Sequence, residues 1–243
     1  MEVSRLDEWE KRLENEFMKG KKPSRKMSLP DEGVDVGITP APIVFSPFIA
    51  EASQAFIKFF GENNSRAERG DSTFNEVKRS GCHWACTYPI GKRPRQVEDG
   101  AVIFMGRMVR KPNDIIIYGR AIGIHYQEGR DDATTADIEL RSWKKRWPHY
   151  IRVHHPEFLA GSLGNGISLF KLMDDLKSDV FSSTKMHNAR GKGNINPRTA
   201  YRQLAAVKLS NEGYSCLNNR LEAVFQQHGK LAQAELDQLD WPK

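Results

Sequence analysis

The chain has 243 residues, enough for one large domain or a compact core with appended helices. Hydrophobic residues make up 39% and charged residues 28%, so a full core is available; no apolar run approaches the roughly 20 residues a membrane helix needs. A net charge of +6 favours a polyanionic partner, and three cysteines, an odd number, argue against a disulfide framework and for a reducing, cytoplasmic setting.

Residues 1–17 are charged throughout and have no apolar core, so no secretory signal is expected. Leu6, Trp9, Leu13 and Phe17 recur at helical spacing and predict an amphipathic helix. Residues 20–37 are rich in Lys, Pro, Ser and Gly, so 1–40 reads as a helix and basic linker ahead of a body at 41–243. From Pro47 the residues Ile49, Ala52, Phe56, Ile57 and Phe60 fit one helical face, with Gly61 as the stop. Residues 62–80 read as a polar loop with a short helical turn.

Cys82–Tyr88 reads as a strand, followed by a basic loop holding Lys92, Arg93 and Arg95. Two apolar runs rich in β-branched residues, Ala101–Met105 and Ile115–Ile124, predict a central strand pair. Pro112-Asn113-Asp114 supplies the turn, near Arg107, Arg110 and Lys111. Glycines at 106, 119 and 123 mark bulges, bends or close approaches inside those strands. Residues 136–140 and 150–153 read as further strands after a polar loop at 127–135. Strands this close in sequence, joined by turns, predict antiparallel pairing in a small barrel.

Beyond Gly161 the pattern turns helical. Ile167, Phe170, Leu172, Met173 and Leu176 predict a helix with Ser168 near its start. Residues 184–196 form a basic, glycine-bearing loop with Lys185, His187, Arg190 and Lys192. Pro197 opens a helix through Leu204 and Val207, and residues 211–228 form another, ended by Gly229; the last residues look frayed.

Most chemical motifs fail. Cys82-His83-Trp84-Ala85-Cys86 lacks the second ligand pair of a structural zinc site, so its cysteines read as small buried hydrophobes and no metal or cofactor is called for. There is no nucleophile elbow and no phosphate-cradling Gly-x-x-x-x-Gly-Lys-Ser/Thr; Gly161–Gly166 reads as a turn. A Mg²⁺-dependent nuclease would use Asp137 and Glu139, placed on one face of a strand, with Asp131, Asp132 and Lys144 nearby. Position 141, where such a site wants lysine, is Arg.

Arg141–Tyr150 interleaves basic side chains, including Lys144, Lys145 and Arg146, with Trp143, Trp147 and Tyr150. Charged arms for phosphate beside flat apolar faces for bases suit single-stranded or flipped nucleotides. Packing of the two tryptophans in the core explains the same spacing. Trp84 and Tyr88, alternating on the earlier strand, are further stacking candidates, as is Tyr118.

Four segments, Cys82–Tyr88, Glu98–Phe104, Ile116–Ile124 and Arg146-Trp147-Pro148, together resemble the PUA-like barrels, in particular the EVE, YTH and ASCH group, over about residues 80–160. The resemblance implies an α+β protein: a small curved antiparallel β-barrel with helical flanks, whose pocket accepts a nucleobase, often a modified one, between aromatic side chains. Base-binding residues would be Trp84, Tyr88, Tyr118, Trp143 and Trp147. Arg107, Arg110, Lys111, Lys144, Lys145, Arg146, Arg190 and Lys192 would grip phosphate. The partner would be nucleic acid, DNA favoured over RNA, in a prokaryotic modification-dependent restriction or defence system, or in RNA modification. The alternatives are the nuclease and a protein-interaction module built on the opening helix.

Overall fold

A computed structural model describes residues 48, 54–60, 66–191, 195–200 and 206–240. The predicted opening helix, the linker, the boundary at 40/41 and Lys192 lie outside these residues. The elements, in order, are β1 Ala55–Phe60, α1 Thr73–Ser80, β2 Ala85–Tyr88, β3 Ala101–Val109, β4 Asp114–Gly123, α2 Thr135–Leu140, β5 His149–Phe158, β6 Ile167–Ser168, α3 Leu169–Leu176, α4 Ser182–Ala189, α5 Pro197–Ala200, β7 Ala206–Lys208, α6 Asn211–His228 and α7 Gln233–Leu236.

The fold is α+β, built on a seven-stranded sheet in the order β2-β5-β4-β3-β1-β7, with β6 paired to β4. The central pair is as expected: β3 and β4 run antiparallel through the turn at Arg110–Asn113, with a register shift at Met105/Gly106. At Gly119 an added Cβ would stand 2.3 Å from the Phe158 ring, so only glycine lets β5 close on β4 there.

The sheet is mixed, however, not purely antiparallel, because β1 lies parallel to β3, Ala55 opposite Val102 and Phe60 opposite Arg107. This strand replaces the C-terminal half of the helix expected from Pro47 to Phe60. Phe56 and Phe60 enter one core while Ala55 and Ile57 enter the other. A strand buried on both faces shows no alternation, and positions 56, 57 and 60 fit a helical face equally well.

Other departures have local causes. Residues 136–140 are the helix α2, not a strand, because Thr134 and Asp137 close a capping box. Residues 184–189, expected as the start of a loop, belong to the helix α4. The helix from Pro197 is described only to Ala200, and Val207 sits on β7, pairing with Ile57. The C-terminal segment is packed: Leu236 and Leu239 are buried.

The sheet separates two cores. One holds Phe56, Cys86, Tyr88, Ile103, Met105, Ile151 and Phe158. The other holds Ile57, Val102, Phe104 and Ile117 under α3 and α6, which contribute Leu172, Leu217, Leu221 and Phe225. Four inter-strand steps separate β2 from β1, roughly 19 Å in a flat sheet. Yet the Lys58 Nζ on β1 stands 5.1 Å from the centre of the Tyr88 ring on β2. The sheet is therefore rolled, and the first core is the inside of the roll.

Candidate functional site

Lys58 sits between Phe56 and Phe60 on the inward face of β1. Its side chain is 2% exposed. Three rings surround the ammonium: Tyr88 at 5.1 Å, Phe60 at 5.4 Å and Trp147 at 5.5 Å, each measured to the ring centre. Rings at this distance offer their negative faces to a cation. Among the described residues its one hydrogen bond goes to the Phe59 carbonyl, at 3.2 Å, and no carboxylate pairs with it. Burial lowers its pKa from 10.5 to about 8, with the neighbouring Cys86 pulling weakly the other way. At neutral pH most molecules hold a positive charge inside an aromatic box.

The walls are held from behind. Arg107 donates to the Phe60 carbonyl at 3.1 Å and lies beside Glu76. Tyr88 pairs across β2 and β5 with His149, whose Nδ1 is 2.6 Å from Asp132 Oδ1. Tyr126 donates to the same oxygen at 2.7 Å. Burial would raise the Asp132 carboxyl, but the hydrogen bonds from the Gly129 N–H, His149 and Tyr126 outweigh it and lower the pKa. The Tyr88 hydroxyl is buried and has no hydrogen-bond partner among the described residues. Buried polar atoms are seldom left so.

Trp147 is half-buried and forms the outer wall. The Arg146 guanidinium stands 5.8 Å from its ring centre, and the Arg146 carbonyl accepts from Ile90 N–H at 3.1 Å. That bond ties the basic loop carrying Lys92 to the exposed pair Lys145 and Arg146.

Two of the expected stacking residues, Tyr88 and Trp147, thus meet at one place. The others do not join them. Trp84 precedes β2, is 51% exposed, and donates from its indole to the Leu239 carbonyl. Tyr118 is fully buried, stacked on Phe158 and beside the Cys82 thiol. Trp143 is half-buried on the short 3-10 turn Ser142–Lys145.

The basic residues also divide. Arg110 and Lys111 are exposed on the β3–β4 turn, and Arg190 is exposed where α4 ends. Lys144, by contrast, is buried and bound to Asp137 at 2.7 Å. Asp137, held well below the usual carboxylate range by that bond and by the Thr134 N–H and hydroxyl, caps α2. Glu139, two residues along the same helix, projects from another side. Among the described residues no three His, Cys, Asp or Glu side chains converge on a common point. Cys82 and Cys86 are fully buried, and desolvation pushes the Cys82 thiol up to about 12.

Lys58 itself escaped the sequence reading, since position 58 fell on the polar side of the helix expected there. The usable signal was a lone lysine inside Ala-Phe-Ile-Lys-Phe-Phe, a run too apolar to spare a solvent-facing position.

Compared with known proteins, the sequence matches no protein-family model and no curated protein.

Proposed function

We propose that this protein binds nucleic acid and holds one base, extruded or single-stranded, against the ring walls around Lys58. The observation that carries the reading is the box itself. Tyr88 from β2, Phe60 from β1 and Trp147 from the segment before β5 present their rings to one buried ammonium. One of these rings, Tyr88, carries a buried hydroxyl without a partner among the described residues. Aromatic faces stack bases of any sequence, and a buried donor distinguishes their edges. The exposed Lys92, Lys145 and Arg146 on the outer side suit the phosphates on either side of that base. A rolled α+β sheet with such a box is what a PUA-like barrel would offer, and DNA is favoured over RNA as partner. Entry requires the Trp147 side chain to swing aside, since Lys58 now fills the space between the rings.

The reading predicts salt-sensitive binding of short oligonucleotides, measured by fluorescence anisotropy at low and physiological salt, with modified and unmodified bases in parallel. Absence of binding to every one of them at low salt would contradict it. The nuclease alternative gains nothing from the geometry, because Asp137 is engaged by Lys144 and Thr134. The interaction-module alternative rests on the opening helix, outside the described residues.

A further inference from the structure

We propose that His154 and His155 on β5 form a two-nitrogen chelate for a divalent copper ion, at a site separate from the rings around Lys58 and independent of the base reading. Neighbouring residues on a strand point to opposite faces, so two adjacent histidines should not meet. Here they do. Their Nδ1 atoms are 2.5 Å apart, and their ring centres 4.8 Å apart with the planes at 71°. The cause is a bulge. Arg120 pairs with Glu157 and Ile122 with His154, so His155 and Pro156 together oppose Ala121. His155 takes a φ of 48° there, which brings its ring back to the side of His154. Residues other than glycine seldom hold that φ, and the following proline narrows the choice further. Bulges that re-aim a side chain, and strain of this kind, gather at functional sites.

Facing Nδ1 atoms this close share one proton, one ring donating and the other accepting. Moving that proton to Nε2 of the donor ring frees a lone pair on each Nδ1 for a metal ion. Burial and the neighbouring His155 push the His154 pKa down to about 4, against the pull of Asp99, so this ring is uncharged at neutral pH, as a ligand must be. Asp99 adds a negative charge near the pair, and His155 is exposed, open to an ion from solvent. Geometry selects the metal. Two bonds of about 2.0 Å hold their nitrogens roughly 2.8 Å apart at a right angle and roughly 3.3 Å apart at the tetrahedral angle. The separation found is nearer the right angle, which belongs to tetragonal Cu²⁺, the ion that also leads the affinity order for nitrogen ligands. Among the described residues no third protein ligand converges, so water completes the coordination.

The test titrates the untagged full-length chain with CuSO₄ and, separately, with ZnSO₄. It follows the melting temperature and the electron paramagnetic resonance spectrum of bound copper in the wild type, His154→Gln and His155→Gly. The expected result is one tight equivalent of Cu²⁺, held about 10-fold or more tightly than Zn²⁺, with hyperfine structure from two imidazole nitrogens and a raised melting temperature. Both variants lose that equivalent. His155→Gly, which keeps the positive φ without strain, melts no lower than the wild type in the absence of metal, so its loss of copper is not a loss of fold. No tight copper equivalent in the wild type, one that survives either substitution, a spectrum with fewer than two nitrogens, or Zn²⁺ held as tightly as Cu²⁺ would overturn the inference.

Discussion

Lys58 carries a burial cost that a single substitution can expose, a cost that the proposed binding would explain. Its pKa falls from 10.5 to about 8, so between those values the unfolded chain holds more protons than the native one. Native stability therefore rises with pH across that window, and below pH 8 the full cost of the buried charge is present, about 3 kcal/mol. Attraction to the three rings offsets part of it. Lys58→Met keeps the length and apolar volume of the stem and removes the charge. It should stabilise the protein by about 1–3 kcal/mol at pH 7, with the difference shrinking as pH rises from 8 toward 10.5. Urea unfolding at several pH values measures this; a less stable Lys58→Met at pH 7 would mean that the ammonium is a structural cation. Nothing in the composition announces this residue. In the sequence it shows only as a lone lysine in an apolar run, and its burial follows once its strand is known to be covered on both sides.

At the scale of elements, α2 and the turn after it form one unit, held by Asp137. The carboxylate closes the capping box with Thr134 and also neutralises the buried Lys144. Because its pKa lies below the ordinary 3.8, its contribution is fully present at neutral pH and is lost only on strong acidification. Asp137→Ala should cost about 1–2 kcal/mol through the lost cap and the stranded lysine. Chemical denaturation of the variant measures the loss; unchanged stability together with a lost cleavage activity would instead favour the nuclease reading. The Thr134-x-x-Asp137 spacing was visible in the sequence, but the alternation of Asp137 and Glu139 pointed to a strand. Elements whose signals are local were legible: the Ser168 cap of α3, the Gly229 stop of α6, and the β-branched runs of β3 and β4. Those that depend on distant partners were not. β7 exists because Val207 pairs with Ile57, some 150 residues earlier, and no window of sequence contains both.

The whole molecule brings β1 and β2, on opposite sides of the strand order, face to face. Rolling is what turns a lysine and three rings from separate segments into one site. The curved sheet was legible in the central glycines, whereas the parallel β1–β3 pairing was not, because it places the 61–100 connection between two adjacent strands. The aromatic and basic mixture of Arg141–Tyr150 contains Trp147, which is half-buried beside Lys58. It could not separate Arg146, which is exposed, from Lys144, which is paired and buried.

The central claim is that a base stacks on Trp147 while the surrounding lysines and arginines hold phosphate. These two contributions respond differently to salt, so the affinity of Trp147→Ala for a single-stranded oligonucleotide, followed across a salt series beside the wild type, tests it most directly. Loss of one stacked base predicts a drop of roughly 10- to 100-fold at every salt concentration with the slope of log affinity against log salt unchanged. Wild-type affinity in Trp147→Ala, or a loss that appears only as a shallower slope, would contradict the account.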